Sequence, residues 1–126
     1  NVHGEILPDF KGAQSIIWPI YEGVDRTGFT IHQINNRIDH GNILYKRSFP
    51  IKFHPTLKET VEMSLAHTRS LISEALCEVC KEYEEMFEKS SVQQNGNKAY
   101  TTPSIWQYLR ILRKHRHMYN MSCRAK

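Results

Sequence analysis

The sequence predicts an α/β fold with a short helix, two β-strands, a long amphipathic helix and a C-terminal basic helix. Two patterns predict it: side chains alternate from Thr27 as in a strand, and apolar residues recur every three or four positions from Leu57 as in a helix. The 126 residues, 40% hydrophobic and 24% charged, suffice for one globular domain or part of one. No run of about 18 apolar residues is present, which excludes a membrane span.

The first half of the chain contains one predicted helix and two predicted strands. Ala13 to Glu22 has apolar residues at helical spacing and is followed by Gly23, which favours a helix end. Pro19 inside this segment predicts a kink or a helix in two parts, because proline removes a backbone donor. The first predicted strand begins at Thr27, and the second runs from Leu44 to Ile51. The polar loop between them contains Asp39.

The second half predicts two helices joined by a linker. Thr56 and Glu59 form a capping box that starts the long helix. Its apolar stripe predicts core packing as far as about residue 87 and contains Leu57, Val61, Leu65, Ile72, Leu76, Val79, Tyr83 and Met86. Thr102 and Pro103 predict the start of the last helix. We therefore divide the chain into residues 1–90, a linker at 91–102 and a basic helical tail at 103–126.

Charge is distributed unevenly along the chain. Residues 1–88 hold 9 basic and 13 acidic side chains, a net −4, whereas residues 89–126 hold 8 basic and no acidic side chains, a net +8. A basic tail can attract phosphates, but a solvated helix face or an acidic neighbouring surface explains it equally well. We expect no nucleic-acid partner.

The three cysteines, Cys77, Cys80 and Cys123, are an odd number, and the sequence does not start with a signal-peptide pattern. These features favour a cytoplasmic protein over a secreted disulfide scaffold. Cys77 and Cys80 fall inside the long helix with no two further ligands at metal-binding spacing, so we expect buried structural thiols and no metal.

The chain opens with a pattern that can perform chemistry. In an extended segment Asn1 and His3 lie on one face and can serve the same substrate atom. An amide donates to a developing oxyanion, and an imidazole relays a proton or donates a second hydrogen bond. Asp39 could orient that imidazole or accept a proton from an amine. The pattern favours acyl transfer to an amine; the alternative is an Asn and a His that cap a turn, with Asp39 in a solvated loop.

Three segments together resemble a known family. NVHGEILPDFKG resembles the Asn-x-His-x-Ser-Leu-Leu-Pro-x-x-x-Gly signature of the formyltetrahydrofolate-dependent formyltransferases. TGFTIH and IDHGNIL resemble the Thr-Gly-x-Thr-x-His strand and the Asp-x-Gly-x-Ile-Leu loop of the same family. The motifs occur in the order found in the family, over about residues 1 to 60. The resemblance implies the C-terminal half of a Rossmann-like formyltransferase domain for residues 1–90.

This resemblance implies an activity and a set of site residues. Asn1, His3 and Asp39 correspond to the catalytic Asn, His and Asp of the family. The family passes a formyl group from the co-substrate N10-formyltetrahydrofolate to a primary amine through a tetrahedral intermediate, without a metal. The Asp loop packs on the pterin in the family, which implies that the three residues Ile38, His40 and Gly41 line the folate pocket.

The acceptor is indicated by a longer resemblance. NVHGEILPDFKGAQSIIWPIY and KAYTTPSIWQYLRILR are most similar to the branch that formylates nucleotide-linked amino sugars, although Glu5 stands where the common motif has Ser. Lys11 and Gly12 are the expected substrate-binding residues, since a basic side chain such as Lys11 or Arg26 suits the pyrophosphate. Phosphoribosyl glycinamide and methionyl-tRNA are alternative acceptors, and a non-catalytic binding module is a further alternative.

The resemblance also implies a preceding half-domain. In the family a Rossmann-like sheet before this region supplies most of the folate site, and this chain opens at Asn1 without Met. We therefore expect a fragment that is inactive alone and that self-associates through the apolar surface left uncovered.

Overall fold

The chain adopts a mixed α/β architecture, which confirms the predicted fold class. The structure is a computed structural model that describes residues 1–93 and 98–125. In chain order the elements are β1 (Val2–His3), β2 (Lys11–Gly12), α1 (Ile17–Glu22), β3 (Arg26–His32), β4 (Ile43–Pro50), α2 (Leu57–Lys81), α3 (Tyr83–Glu88), β5 (Ala99–Tyr100) and α4 (Ile105–Arg124).

The main sheet has the strand order β1-β3-β4 and is antiparallel throughout. One face of β3 carries Phe29 and Ile31, which pack with Ala75 and Val79 of α2. The opposite face is also buried, because the segment after β1 covers it and the hydroxyl of Thr30 bonds to that segment. The predicted alternation is therefore confirmed, but the polar face of β3 points into the protein and not into solvent.

A second, two-stranded sheet pairs β2 with β5 in parallel. Gly12 has φ 97° there, and a Cβ built on it would lie 2.1 Å from the backbone oxygen of Tyr100. Only glycine permits this approach. The predicted linker at 91–102 thus includes a paired strand, while positions 94–97 of that linker lie outside the described residues.

Helix α1 is shorter than the predicted helix at 13–22, and the predicted kink is wrong. The helix begins at Ile17, which places Pro19 in its first turn. Backbone N–H groups in the first turn have no intrahelical partner, so proline costs no hydrogen bond there. Gly23 ends the helix in the left-handed conformation, as predicted.

Helix α2 begins with the predicted capping box of Thr56 and Glu59. The predicted apolar stripe is only partly correct, because the helix is interrupted at Glu82 and the two predicted stripe residues Leu76 and Tyr83 are exposed. The buried face instead includes small polar residues, which are Thr60, Ser64 and Thr68. The hydroxyl of Thr68 donates to the backbone oxygen of Ser64 at 3.0 Å, so this buried hydroxyl has a hydrogen-bond partner.

The cysteines do not occupy the predicted buried positions. Cys77, Cys80 and Cys123 are all exposed. Ala75 and Val79 define the buried side of α2 in this region. Cys77 is two positions from each of them and therefore lies on the opposite side of a helix with 3.6 residues per turn. The expectation of buried structural thiols is therefore wrong.

Helix α4 begins at Ile105 with Ser104 as its N-cap, two residues after the predicted cap Thr102. Ile111 and His115 are its buried residues, and α4 packs on α1, where Arg110 lies 4.4 Å from the ring centre of Tyr21. Trp106 is 78% exposed, whereas Trp18 belongs to the core. Within residues 1–93 and 98–125, no helix is both long and apolar enough to cross a membrane.

Removing the N-cap of α4 is expected to destabilise the protein. Ser104 accepts from the backbone N–H of Gln107, so Ser104→Ala is expected to lower the free energy of unfolding by about 1 kcal/mol. Urea denaturation measures the change. The matched control is Thr102→Ala, which lies before the helix. An equal loss in both variants would show that Ser104 is not the cap.

Candidate active site

Pairing of β1 with β3 places the opening residues beside the end of β3. The backbone nitrogen of His32 donates to the oxygen of Asn1 at 2.9 Å, and the nitrogen of Asn1 donates to the oxygen of His32 at 2.8 Å. His3 is buried on β1, and Asp39 reaches the same point from the loop between β3 and β4. The structure therefore brings the predicted Asn1, His3 and Asp39 together and adds His32 to them.

The two ring nitrogens of His3 have different partners. Nε2 lies 2.6 Å from the backbone oxygen of Phe10, to which it donates. Nδ1 faces the carboxylate of Asp39, 3.5 Å from Oδ2. Since a carbonyl holds the Nε2 proton, any proton that His3 exchanges within the site passes through Nδ1.

His32 holds the amide of Asn1. Its Nδ1 donates to the backbone oxygen of Gln33 at 2.8 Å, which leaves Nε2 to accept from Asn1 Nδ2 at 3.2 Å. Burial lowers the pKa of His32, which agrees with the neutral ring that this pattern requires. The strand motif TGFTIH contains His32, but the sequence predicts no role in the site for this residue.

The Asp39 loop is fixed from two directions. Oδ2 of Asp39 accepts from the backbone nitrogen of Gly12 at 3.1 Å, and Oδ1 lies 3.5 Å from His32 Nε2. The side-chain amide of Gln93 donates to the backbone oxygens of Asp39 and Gly41, at 2.9 and 2.7 Å. Sequence reasoning missed Gln93, because one glutamine in a polar segment carries no periodic signal.

A cavity of about 350 Å³ adjoins these residues. Its lining consists of Asn1, His32, Ile34, Asn35, Asn36, Arg37, Ile38 and Asp39. A larger cavity of about 640 Å³ lies where α2 meets α3, away from these residues, and is lined mainly by acidic side chains.

The three residues predicted to bind folate take different positions. Ile38 lines the cavity and is 82% exposed. His40 folds back on its own loop, with Nδ1 donating to the backbone oxygen of Ile38 at 2.7 Å, and Gly41 is buried against the backbone of Gln33. His40 and Gly41 therefore support the loop, and their contact with a ligand stays a prediction.

The predicted substrate-binding residues Lys11 and Gly12 form β2, which lies beside Asp39 Oδ2 and not in the lining of the cavity. Gly12 contacts Asp39 through its backbone nitrogen. The side chain of Lys11 is 1% exposed, and among the described residues its Nζ has no hydrogen-bond partner. Arg26 donates to Ser48 at an exposed end of β3. In this conformation the ammonium of Lys11 is enclosed, so its contact with an acceptor stays a prediction.

Glu5, which departs from the family motif, is buried close to the site. Its Oε1 accepts from the backbone nitrogen of Ile16 at 2.6 Å and from the hydroxyl of Thr27 at 2.7 Å. Burial raises the pKa of Glu5 to about 7, against the lowering effect of these hydrogen bonds. Ile16 and Gln14 have positive φ of 74° and 67°, a range that costs a residue other than glycine about 1–3 kcal/mol. Glu5 thus holds a strained segment.

The site offers amide, imidazole and carboxylate groups for chemistry. In the part of the chain that the structure describes, no three His, Cys, Asp or Glu side chains form a group that could hold a metal ion. Donors for a developing oxyanion and a carboxylate that can accept a proton suit acyl transfer to an amine.

Comparisons with known proteins identify the family. The formyl transferase family profile matches residues 1–80. Methionyl-tRNA formyltransferase of Ehrlichia canis (strain Jake) is 40% identical over 70 residues, which are 56% of this chain and 23% of that protein. The chain thus matches about a quarter of the length of this relative.

Two solved structures share the fold. WlaRD, a sugar 3N-formyl transferase, has a TM-score of 0.58 at 21% identity, over 92% of this chain and 45% of its own. The formyltransferase PseJ from Anoxybacillus kamchatkensis has a TM-score of 0.59 at 24% identity, over 86% of this chain and 55% of its own. With the family profile matched over most of its length, the chain belongs to the formyl transferase family.

Proposed function

We propose that this chain carries the catalytic residues for transfer of a formyl group from N10-formyltetrahydrofolate to the primary amine of a nucleotide-linked amino sugar. The observation that carries this proposal is the convergence of Asn1 and His3, predicted as catalytic from one motif, with Asp39, predicted as catalytic from another. Residues 1–90 belong in this proposal to the catalytic domain, 91–102 connect it to the tail, and 103–126 form that tail.

The cavity beside Asn1 has the chemistry that a folate ring requires. Ile34 and Ile38, 81% and 82% exposed, offer apolar contacts at its edge, and the amides of Asn1 and Asn35 offer hydrogen bonds to a polar ring. A flat heterocycle with hydrogen-bonding edges suits this combination. When bound, N10-formyltetrahydrofolate supplies the activated formyl group.

The chain's own residues divide the catalytic work. The amide of Asn1 uses one N–H toward His32 and retains a second that can donate to the formyl oxygen as negative charge develops there. Nδ1 of His3, 3.5 Å from Asp39 Oδ2, is the ring nitrogen placed to exchange a proton with that carboxylate. Asp39 takes a proton from the amine, directly or through one water, as the new carbon–nitrogen bond forms. That proton returns to N10 when the carbon–N10 bond breaks.

The amino-sugar acceptor rests on the motif resemblance at residues 1–21 and 98–113. WlaRD was solved in the presence of dTDP and 5-N-formyl-THF, and PseJ with a UDP-linked formamido sugar and tetrahydrofolate. Methionyl-tRNA is the second candidate, favoured by the 40% identity with methionyl-tRNA formyltransferase of Ehrlichia canis and by the basic face of α4.

An assay with a panel of amines tests the proposal. The gene product extended upstream of Asn1 is incubated with N10-formyltetrahydrofolate and either a dTDP-linked amino sugar, phosphoribosyl glycinamide or methionyl-tRNA. We expect transfer to the amino sugar in wild type and none in His3→Ala. Transfer to methionyl-tRNA that falls steeply with salt would favour the second candidate. Transfer to no amine, with folate still bound, would contradict the catalytic proposal and favour a binding module.

A further inference from the structure

We propose that residues 12–16, here called the strap, form the wall of the site that faces the acceptor, that Glu5 positions this strap and that Gln14 contacts the acceptor. This inference rests on the proposed function, because it assigns the second substrate of the same reaction to one side of the site. It extends the substrate-binding set beyond Lys11 and Gly12.

Both ends of the strap are bonded to side chains from other parts of the chain. At the first end, the backbone nitrogen of Gly12 donates to Asp39 Oδ2 at 3.1 Å. At the other end, the backbone nitrogen of Ile16 donates to Glu5 Oε1 at 2.6 Å. Glu5 is 2% exposed and is itself held by the hydroxyl of Thr27. Glu5 therefore fixes one end of the strap, while Asp39 and the backbone oxygen of Tyr100, which accepts from the nitrogen of Ala13 at 2.9 Å, fix the other.

The carboxylate of Asp39 separates two sides of the site. Oδ1 lies on the side of His32, where the cavity assigned to folate also includes Asn1. Oδ2 lies on the side of His3 and Gly12. A reaction between two substrates requires that both reach the same catalytic groups. The formyl donor occupies the Oδ1 side in this proposal, so the amine approaches Asp39 from the Oδ2 side. The strap borders that side.

Between its ends the strap passes over the residue next to His3. A Cβ built on Gly4 would lie 2.7 Å from the hydroxyl oxygen of Ser15, so the strap lies against residue 4. Gln14 is exposed in the middle of the strap and has φ 67°. Its amide can both donate and accept, which suits the hydroxyl and phosphate groups of a sugar nucleotide.

Substitution of Gln14 tests the contact with the acceptor. The probe is dTDP-4-amino-4,6-dideoxyglucose, with the gene product extended upstream of Asn1. We expect Gln14→Ala and Gln14→Gly both to lower kcat/KM for the amino sugar about 10-fold, mainly through its KM, as for one lost hydrogen bond. The dissociation constant of 5-formyltetrahydrofolate should stay within about 2-fold of wild type. The control is Asp9→Ala, an exposed residue of the preceding loop, which should leave both quantities unchanged.

Substitution of Glu5 tests the positioning role. Glu5→Ala removes the acceptor of the Ile16 N–H, and we expect about a 10-fold higher KM for the amino sugar with unchanged folate binding. Glu5→Gln keeps an oxygen that accepts from Ile16 and Thr27, and should recover the wild-type KM. If Glu5→Ala does not fold, the two variants of the exposed Gln14 still test whether the strap contacts the acceptor.

Two results would overturn the strap proposal. One is an active wild type in which the Gln14 variants keep kcat/KM for the amino sugar within about 2-fold. The other is a weakening of folate binding as large as the change in the KM of the amino sugar. A wild type that transfers formyl to no amine contradicts the proposed function itself, and the strap proposal with it.

Discussion

Replacing Asp39 with asparagine is expected to lower kcat for formyl transfer by about 10²–10⁴-fold, the usual range for loss of a general base. The substituted side chain can still accept from the backbone nitrogen of Gly12 through its amide oxygen, so the loop keeps a contact that it has in wild type. The amide cannot take a proton from the amine, and it no longer presents a negative charge to His3 and His32. Steady-state rates of the gene product extended upstream of Asn1, at saturating donor and acceptor, measure the effect.

The same substitution is expected to leave the fold intact. Asp39 has φ 54°, and asparagine is among the residues that adopt this left-handed conformation most readily. The thermal midpoint should therefore match wild type, which separates lost chemistry from lost structure. Asp9→Asn is a matched control, since Asp9 is exposed. A kcat for Asp39→Asn within about 3-fold of wild type, well below the effect of a lost general base, would refute the catalytic role.

The second large effect is a pH dependence of stability that originates at Glu5. Burial raises its pKa from the ordinary 4.5 to about 7 in the folded protein, so the folded state binds the proton more tightly than the unfolded state. This stabilisation is complete below the unfolded pKa and is lost as pH rises through the folded pKa. Between about pH 4 and about pH 9 the loss is about 3 kcal/mol, since each pKa unit corresponds to about 1.4 kcal/mol.

Urea unfolding of wild type and Glu5→Gln across this pH range isolates the effect. Burial lowers the pKa of both His32 and His115, so each histidine stabilises the fold at high pH and loses that contribution as pH falls. These opposite contributions occur in both proteins and cancel in the difference. We expect the wild-type free energy of unfolding, relative to Glu5→Gln, to fall as pH rises. A difference that does not change with pH would show that Glu5 titrates normally.

Local patterns carried most of the predictions that are confirmed. Three confirmed features depend only on neighbours within a few positions and can therefore be predicted from the local sequence. They are the alternation in β3, the capping box at Thr56 and the helix end at Gly23. The convergence of Asn1 and Asp39 was also predicted, but from three motifs that resemble a family. Spacing alone does not show that residues 38 positions apart meet.

The missed features depend on contacts between distant segments. Gln93 reaches the Asp39 loop, and Glu5 bonds Ile16, through single side chains with no repeating pattern. The buried face of α2 was assigned to larger apolar residues because Thr60 is polar, yet its hydroxyl lies 2.8 Å from Nε2 of the buried His115 on α4. A polar residue that is satisfied only by a distant partner cannot be recognised as buried before the fold is known.

The long-range contacts made by Gln93 and Thr101 also bear on the order in which the protein folds during synthesis. Gln93 is 54 positions from Asp39, and Trp18 donates its indole N–H to the backbone oxygen of Thr101, 83 positions away. A ribosome adds about 5–20 residues per second, so the segment from Ile43 to Gln93 takes several seconds to make after the Asp39 loop. During that interval the Asp39 loop lacks the hydrogen bonds that Gln93 donates to it. The arrangement around the Asp39 loop is therefore completed late in synthesis, after the segment near residue 100 has been made.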